Sequence, residues 1–258
     1  LSEKSFQNYK WLLFFMDNIF SKINFIVCQG EKDLDRFIKL GVNEKQIKRD
    51  FSFKFDSLQL NQNPIFEKNH KMKDKKIIIC ASTHHPEEEI LIQAFQKLDL
   101  ENIIIILVPR HPDRAKAVYK KINDTGLSIS LFSEENSKLD YSKQVILVDK
   151  IGHLESLFSI ADIAFIGGSL IPHGGQNFLE AVKFSLPISS GQSVFNFQEI
   201  AHDLLKHKIL KQGNSAEELR NIWYEQLCES SSELKKISQD YISKRKGASK
   251  RTLELLPL

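Results

Sequence analysis

Short, uninterrupted apolar runs in the second half of the chain constrain its fold most strongly. A strand that is apolar at every position is buried on both faces, as in a parallel sheet covered by helices on each side. The runs lie at residues 77–80, 103–108, 127–132, 145–148, 163–166 and 187–189. Helix-compatible stretches at residues 86–98, 112–123, 154–160 and 178–184 alternate with them. This alternation predicts an α/β fold with a doubly wound, Rossmann-like parallel sheet.

The chain of 258 residues divides into three parts in this interpretation. Residues 1–56 have the pattern helix, strand, helix, strand, which is too little to enclose a core, so we expect them to end a domain that begins upstream. Residues 57–74 are polar and are predicted to be an interdomain linker. Residues 75–258 are predicted to form a nucleotide-binding domain that ends in helices. The first residue is Leu1 rather than methionine, which favours a fragment.

Composition excludes several classes of protein. A hydrophobic content of 41% supports a folded core, and a net charge of +3 is too small to indicate a nucleic-acid partner. The three cysteines lie far apart, without metal-ligand spacing, so we expect a reducing compartment and no structural metal. The most apolar early stretch, residues 11–20, is too short for a membrane span of about 20 residues.

The loop from Gly167 to Glu180 is the most informative candidate site. It follows a predicted buried strand and enters a helix near Asn177, and it contains two glycine pairs. Glycine lets a backbone approach a ligand closely, and free N–H groups at a helix start favour an anion such as phosphate. Glu180, one turn into the helix, is placed to accept hydrogen bonds from a ribose diol. A tight turn without ligand is the simpler explanation for one glycine pair, but two pairs with a histidine and an acid favour a site.

Three further loops are expected at the same edge of the sheet, since parallel strands share one carboxyl edge. Arg110 directly follows a buried strand and offers a planar five-donor group to phosphate, although alone it would suit a surface turn. The segment 82–89 places hydroxyl groups and two adjacent histidines ahead of a helix start, without a carboxylate or cysteine at metal-ligand spacing. We therefore predict neither a metal nor a cofactor. The segment 150–155 would close another side. Candidate phosphate or sugar contacts are Ser82, Thr83, Ser169, His173, Gly174 and Gly175.

These loops resemble those of the Kdo transferases, which move 3-deoxy-D-manno-octulosonic acid (Kdo) from CMP-Kdo to lipid A precursors in lipopolysaccharide synthesis. The family pattern GGSLVPHGGHNPLE is present as GGSLIPHGGQNFLE at residues 167–180. ASTHHPEEEI, LVPRHPDR and SFKFD are similar to the family's ASTHEGEEEI, LVPRHPER and NLKFD. The similarity follows the chain in order over nearly its whole length.

The resemblance implies a two-domain GT-B fold, with the donor in the C-terminal domain and the lipid acceptor in the N-terminal one. It implies a metal-independent, inverting transfer in which a glutamate, placed before Leu1, acts as general base. The chain alone is then expected to bind donor without transferring Kdo. The implied location is peripheral, on the cytoplasmic face of the bacterial inner membrane. CMP contacts carry over to Pro109, Arg110, Ile151, Gly152, His153, Asn177, Phe178, Leu179 and Glu180.

Two positions depart from the family pattern, which has Met-Gly-Glu at residues 151–153 and proline at Phe178. Two other interpretations stay open. The chain would be a GT-B transferase or epimerase that uses a UDP-sugar, or a non-catalytic nucleotide-binding fragment of a split or decayed gene. The basic stretch 235–251 favours contact with anionic headgroups, or else forms a solvated helix face.

Overall fold

A computed structural model describes residues 1, 3–58, 65–66 and 74–255. It divides into two compact units: Leu1–Gln59 with Tyr241–Leu258, and Leu60–Asp240. The elements of the first unit are α1 (Glu3–Lys10), α2 (Leu13–Phe20), β1 (Ile26–Cys28), α3 (Glu31–Lys39), β2 (Ile47–Arg49) and α11 (Ala248–Leu253). Helix α10 (Ser231–Ser243) starts in the second unit and ends in the first. Most of the predicted linker, residues 59–64 and 67–73, lies outside the described residues.

Strands and helices alternate along most of the described part of the second unit, whose two halves divide after Ile166. The first half consists of β3 (Lys76–Thr83), α4 (Glu87–Gln96), β4 (Ile103–Pro109), α5 (Ala115–Asn123), β5 (Ile129–Leu131), β6 (Val145–Leu147), α6 (Leu154–Phe158) and β7 (Ile163–Ile166). The second half consists of α7 (Leu179–Lys183), β8 (Ile188–Ser190), α8 (Gln198–Lys206), β9 (Leu210–Gln212) and α9 (Ala216–Cys228), followed by the start of α10.

The seven strands of this unit form one parallel sheet in the order β5-β6-β4-β3-β7-β8-β9. The six continuous apolar runs correspond to strands β3 to β8, of which β5 lies at an edge of the sheet, and residues such as Ile78, Ile105 and Phe165 are completely buried. Helix α9 covers one face, where the buried Trp223 Nε1 donates to Ser189 Oγ at 2.9 Å. The predicted doubly wound sheet is confirmed. Strand β9 and helix α8 were not predicted. In β9 only Leu210 is buried, so this strand lacks the continuous apolar run from which the other strands of the sheet were predicted.

The first unit pairs β1 and β2 in a two-stranded parallel sheet. Its core includes Phe6, Met16, Phe20, Leu40 and Ile47. The predicted helix across residues 9–20 is divided into α1 and α2 by a turn at residues 11–12. Within the described part of the chain, no helix has both the length and the apolar content needed to cross a membrane.

The predicted boundaries differ from the structure at the C-terminal end. Residues 241–258 group with the first unit, whereas the sequence interpretation assigned them to the nucleotide-binding domain. The reason is polar: the Asp56 carboxylate accepts hydrogen bonds from the backbone N–H groups of Gly247 and Ser249, at the start of α11. Arg251 donates from Nη2 and Nε to Asp50 at 2.7 and 2.8 Å.

We expect Asp56→Ala to loosen α11 by about 1 kcal/mol, the usual effect of removing a helix-capping acceptor. Hydrogen bonds from the Ser249 side chain and then from the backbone of Ser249 lower the pKa of Asp56. The stabilisation is therefore present above the ordinary aspartate pKa of about 3.9 and is lost as pH falls through the lowered value. Amide hydrogen exchange of residues 248–253 measures both effects. Protection equal to that of the exposed-site control Asp35→Ala would contradict this role.

Candidate functional site

The predicted site loops meet at the topological switch point of the sheet. From β3 the chain continues to β4 on one side, and it later returns to β7 on the other side. In open parallel sheets, ligands bind outside the carboxyl ends of the strands at such a point. The loops after β3 and β7 carry Ser82–Glu89 and Gly167–Glu180, and the loops after β4 and β6 lie along the same edge.

Glu87, at the start of α4, organises this edge. Its completely buried carboxylate accepts hydrogen bonds from the backbone N–H groups of His84, Gly168, Ser169 and Leu170 at 2.7–2.9 Å. In sequence, the three glutamates at residues 87–89 suit a helix start, because acidic side chains stabilise the positive end of the helix dipole. The structure gives Glu87 a different role, because this internal anion already occupies the amides of Gly168, Ser169 and Leu170. These amides are therefore not available to a ligand phosphate.

Two of the predicted sugar or phosphate contacts serve the fold instead. Thr83 is fully buried and donates from Oγ1 to Glu88 Oε1 at 3.0 Å. Ser169 is 1% exposed; its hydroxyl donates to the Ile166 carbonyl at 2.6 Å and accepts from the Gly191 N–H at 2.8 Å. Both hydroxyl groups thus bind the protein itself, since they lie where strand ends pack together. Ser82 is half-buried, with a φ of 55° at an irregularity in β3.

The second glycine pair packs against the loop after β8. Gly174 and Gly175 have φ values of 93° and 76°, which favour glycine. A Cβ at Gly174 would lie 2.6 Å from a ring carbon of Phe195, and the Gly174 N–H donates to Ser193 Oγ at 3.2 Å. The close approach that the glycines permit is thus to the protein. His173, next to the pair, is exposed.

Arg110 is an exposed cation that directly follows Pro109, the last residue of β4. Its backbone N–H donates to the Thr83 carbonyl at 2.9 Å, which fixes it beside the β3 loop. The side chain is exposed, and its guanidinium has no hydrogen bond or ion pair with any described residue. A five-donor cation held in this way is suited to a phosphate or carboxylate.

At the start of α7, Asn177 and Glu180 form a small polar network. Asn177 Oδ1 accepts from the Leu179 N–H at 3.2 Å, while its Nδ2 donates to Glu180 Oε1 at 3.0 Å. Glu180 and Asn177 are half-buried. Phe178 and Leu179 are completely buried, backbone included, so neither of these two predicted CMP contacts presents surface to a ligand in this structure.

The loop after β6 differs from expectation at one residue. Ile151 is 81% exposed, and Gly152 has a φ of 89°. The His153 ring instead packs 5.0 Å from the ring of Phe132 and 6.1 Å from that of Phe66. Its Nδ1 is buried without a hydrogen-bond partner among the described residues. His153 therefore contributes mainly to packing at this position.

A cluster of imidazoles lies at the switch point, and two of its members were not among the predicted site residues. The His84 ring lies 4.2 Å from that of His173 and 5.7 Å from that of His111. Burial, followed by the charges of His173 and His111, lowers the pKa of His84. The sequence signal was present in the pairs His84-His85 and Arg110-His111. The sequence analysis placed the first pair near the site and weighed it for a metal, and in the second pair it considered only the arginine. No group of His, Cys, Asp or Glu able to hold a metal occurs among the described residues.

Comparison with known proteins shows which class of protein the chain is similar to. Residues 1–57 match the model of the family described as 3-deoxy-D-manno-octulosonic-acid transferase (kdotransferase). A solved structure of the C-terminal CMP-Kdo binding domain of WaaA from Acinetobacter baumannii matches with a TM-score of 0.62 and 28% identity, over 67% of this chain and 92% of that one. Solved structures at 11–16% identity, with TM-scores of 0.52–0.57, share the fold alone; one of them is a glycosyltransferase from Rickettsia africae with a TM-score of 0.56. The fold is that of GT-B glycosyltransferases.

Curated relatives narrow the class. A Haemophilus influenzae 3-deoxy-D-manno-octulosonic acid transferase is 31% identical over 99% of this chain and 62% of its own length. A bifunctional glycosyltransferase/methyltransferase of Fusobacterium nucleatum is 34% identical over 84% of this chain and 34% of its own length. The chain thus spans about a third to three fifths of these relatives. It is a relative of the Kdo transferases, and the resemblance predicted from its glycine-rich motif is confirmed.

We expect Glu87→Gln to destabilise the second unit by roughly 2–4 kcal/mol, since the new amide group would face backbone N–H donors and leave them unpaired in a buried site. Glu89→Gln is the matched control in the same helical turn, because Glu89 is exposed and its partner Lys121 is also exposed. Urea unfolding of both variants measures the difference. Equal stability of the two would contradict the organising role of Glu87.

Proposed function

We propose that the second unit binds CMP-Kdo at the switch point and that the protein to which this chain belongs transfers Kdo to a lipid A precursor. The observation that carries the proposal is Arg110, an exposed cation whose guanidinium is unpaired among the described residues and whose backbone is bound to Thr83 at the carboxyl edge of the sheet. The likeness to a CMP-Kdo binding domain supports cytidine as the nucleoside.

The arrangement suggests a role for each polar group that faces the edge. We propose that Arg110 binds the donor phosphate, where negative charge grows as CMP leaves. Glu180 and Asn177 are held together by a 3.0 Å hydrogen bond, which leaves Glu180 Oε2 to accept from the ribose diol. Ile151 and Gly152 are assigned to the base side of the nucleotide. The resemblance to the Kdo transferases implies an inverting transfer that needs no metal, and in our proposal Arg110 supplies the positive charge for the leaving phosphate.

The acceptor half of the reaction needs parts beyond these residues. The chain spans only part of its relatives, and the resemblance places the general-base glutamate outside it. General-base catalysis contributes about 10²–10⁴-fold, and acceptor positioning adds to that. Residues 1–258 alone are therefore expected to bind CMP without transferring Kdo.

We expect Arg110→Ala to weaken CMP binding by roughly 1.5–3 kcal/mol, the usual contribution of a charge-assisted hydrogen bond. Calorimetric titration of wild type and variant with CMP measures this loss. Lys116→Ala, which removes an exposed charge from α5, is the control and should change little. Equal CMP affinity in wild type and R110A would contradict the assignment. Preference for UMP over CMP in the wild type would favour the UDP-sugar alternative.

We also propose peripheral contact with the cytoplasmic face of the inner membrane. The basic stretch 235–251 is weaker support than its charge suggests. Arg245 is 9% exposed, stacked on Tyr241, and Arg251 is paired with Asp50. The exposed apolar side chains of the first unit add to it, since Trp11 and Phe14 are 91% and 90% exposed. Aromatic side chains of this kind favour the headgroup region of a bilayer.

Co-sedimentation with anionic vesicles tests the membrane proposal. Wild type should pellet with the vesicles at low salt. Replacing both Trp11 and Phe14 by Ser should reduce the pelleted fraction severalfold, because each aromatic ring contributes buried apolar area. Replacing the already buried Phe55 would disturb the core, so the exposed Phe53→Ser variant is the control. Pelleting that depends on neither aromatic residue would rule out this surface.

A further inference from the structure

We propose that His84, His111 and His173 form an anion subsite at the switch point that binds the carboxylate of the donor sugar. The inference rests on the proposed function, since CMP-Kdo carries one charged phosphodiester and one sugar carboxylate. It assigns the second anion to a group of side chains distinct from Arg110 and from the ribose network of Asn177 and Glu180.

The cluster is built from three loops that the fold brings together. His84 follows β3, His111 follows β4 and His173 belongs to the loop after β7. Ring distances of 4.2 and 5.7 Å place His84 between the other two. His84 is 8% exposed, whereas His111 and His173 are exposed, so the cluster has a buried floor and an open mouth.

Gly168 keeps the floor of the cluster open. A Cβ at this position would lie 3.3 Å from His173 Cδ2, 3.4 Å from His84 Cδ2 and 3.5 Å from Gln176 Nε2. Gln176 Nε2 also lies 3.3 Å from His84 Nε2, which fits a neutral imidazole that accepts a hydrogen bond there. A side chain at residue 168 would fill the space between these groups.

The charges around the cluster favour an anion. The groups that act on His84 are His173, His111, Glu88 and Arg114. Glu88 is already paired with Arg114 at 3.1 Å and with Thr83.

Glu87, the other acid of this turn, is fully used by four backbone N–H groups. Both carboxylates thus have their hydrogen-bond partners elsewhere, and Glu88 acts on His84 only through its charge, which favours the protonated imidazole. Among the described residues, no carboxylate forms a hydrogen bond with the three imidazoles of the cluster. A carboxylate supplies both the charge and the two acceptor oxygens that imidazole N–H groups require.

Binding should be linked to proton uptake. Burial and the neighbouring histidines lower the pKa of His84 below its ordinary value of about 6.5, so its imidazole is mostly neutral at pH 7 in the empty site. A bound carboxylate favours the charged imidazole and raises that pKa. Affinity for a carboxylated donor should therefore rise as pH falls from 8 to 6, while a sugar carboxylate and a phosphodiester keep their charge in this range.

The test compares two ligands by calorimetric titration of the same chain: CMP-Kdo, and the methyl phosphodiester of CMP, which has the phosphate charge without the carboxylate. His173→Gln should weaken CMP-Kdo binding about tenfold, as expected for loss of a charge-assisted hydrogen bond, and should change the methyl ester less than about twofold. His84→Gln should do the same and abolish the rise in affinity at pH 6. His85→Gln is the control, because its exposed ring lies 3.7 Å from Glu89, away from the cluster.

Each outcome decides the assignment. His173 is exposed, so its variant should melt as the wild type does even if the His84 variant does not fold. Equal weakening of the binding of both ligands would indicate that the cluster binds the phosphate, and it would overturn the carboxylate assignment. Unchanged CMP-Kdo affinity in His173→Gln would also overturn it. A wild-type chain that binds neither ligand would contradict the proposed function itself.

Discussion

The Glu87 carboxylate joins the two loops that flank the switch point, and much of the site depends on that contact. A buried charge is tolerated only when its hydrogen-bonding capacity is used, and here four backbone N–H groups use it. Three of them belong to the loop after β7 and one to the loop after β3. The conformation of the glycine-rich loop is therefore fixed before any ligand arrives. Preorganisation of this kind lowers the entropy lost on binding.

The same contact decides where positive charge for a ligand must come from. Glycine-rich loops often bind phosphate through their backbone amides. In this chain the backbone N–H groups of Gly168, Ser169 and Leu170 are bound to the internal carboxylate of Glu87. A ligand anion would therefore have to be bound by side chains. Arg110 and the imidazoles of His84 and His173 are the groups available at this edge. In the proposed site, a motif that resembles a phosphate loop in sequence thus works as a rigid support for the side chains that bind the ligand.

The sequence predicted the sheet and its edge well because both follow from local patterns. Strand β7 was predicted at its observed bounds, since four consecutive apolar residues leave little choice. Burial of single polar groups depends on long-range packing and was not predictable in the same way. Thr83 seemed to be a ligand contact, but its partner Glu88 is set by how α4 packs on β3. Likewise, Asp56 holds α11 across 191 residues of sequence, a distance at which no local pattern operates.

The departure from the family pattern at residue 153 has a physical consequence for the nucleotide site. The ring of His153 lies against Phe132 and Phe66, and its Nδ1 is buried without a partner among the described residues. A glutamate in that position would place a charge against two phenyl rings, at a large cost in desolvation. The surroundings of residue 153 therefore favour a neutral ring over the carboxylate of the family pattern. In the proposed nucleotide site, recognition by this loop would then depend on Ile151, which is exposed, and on Gly152, whose φ of 89° lies in the left-handed region.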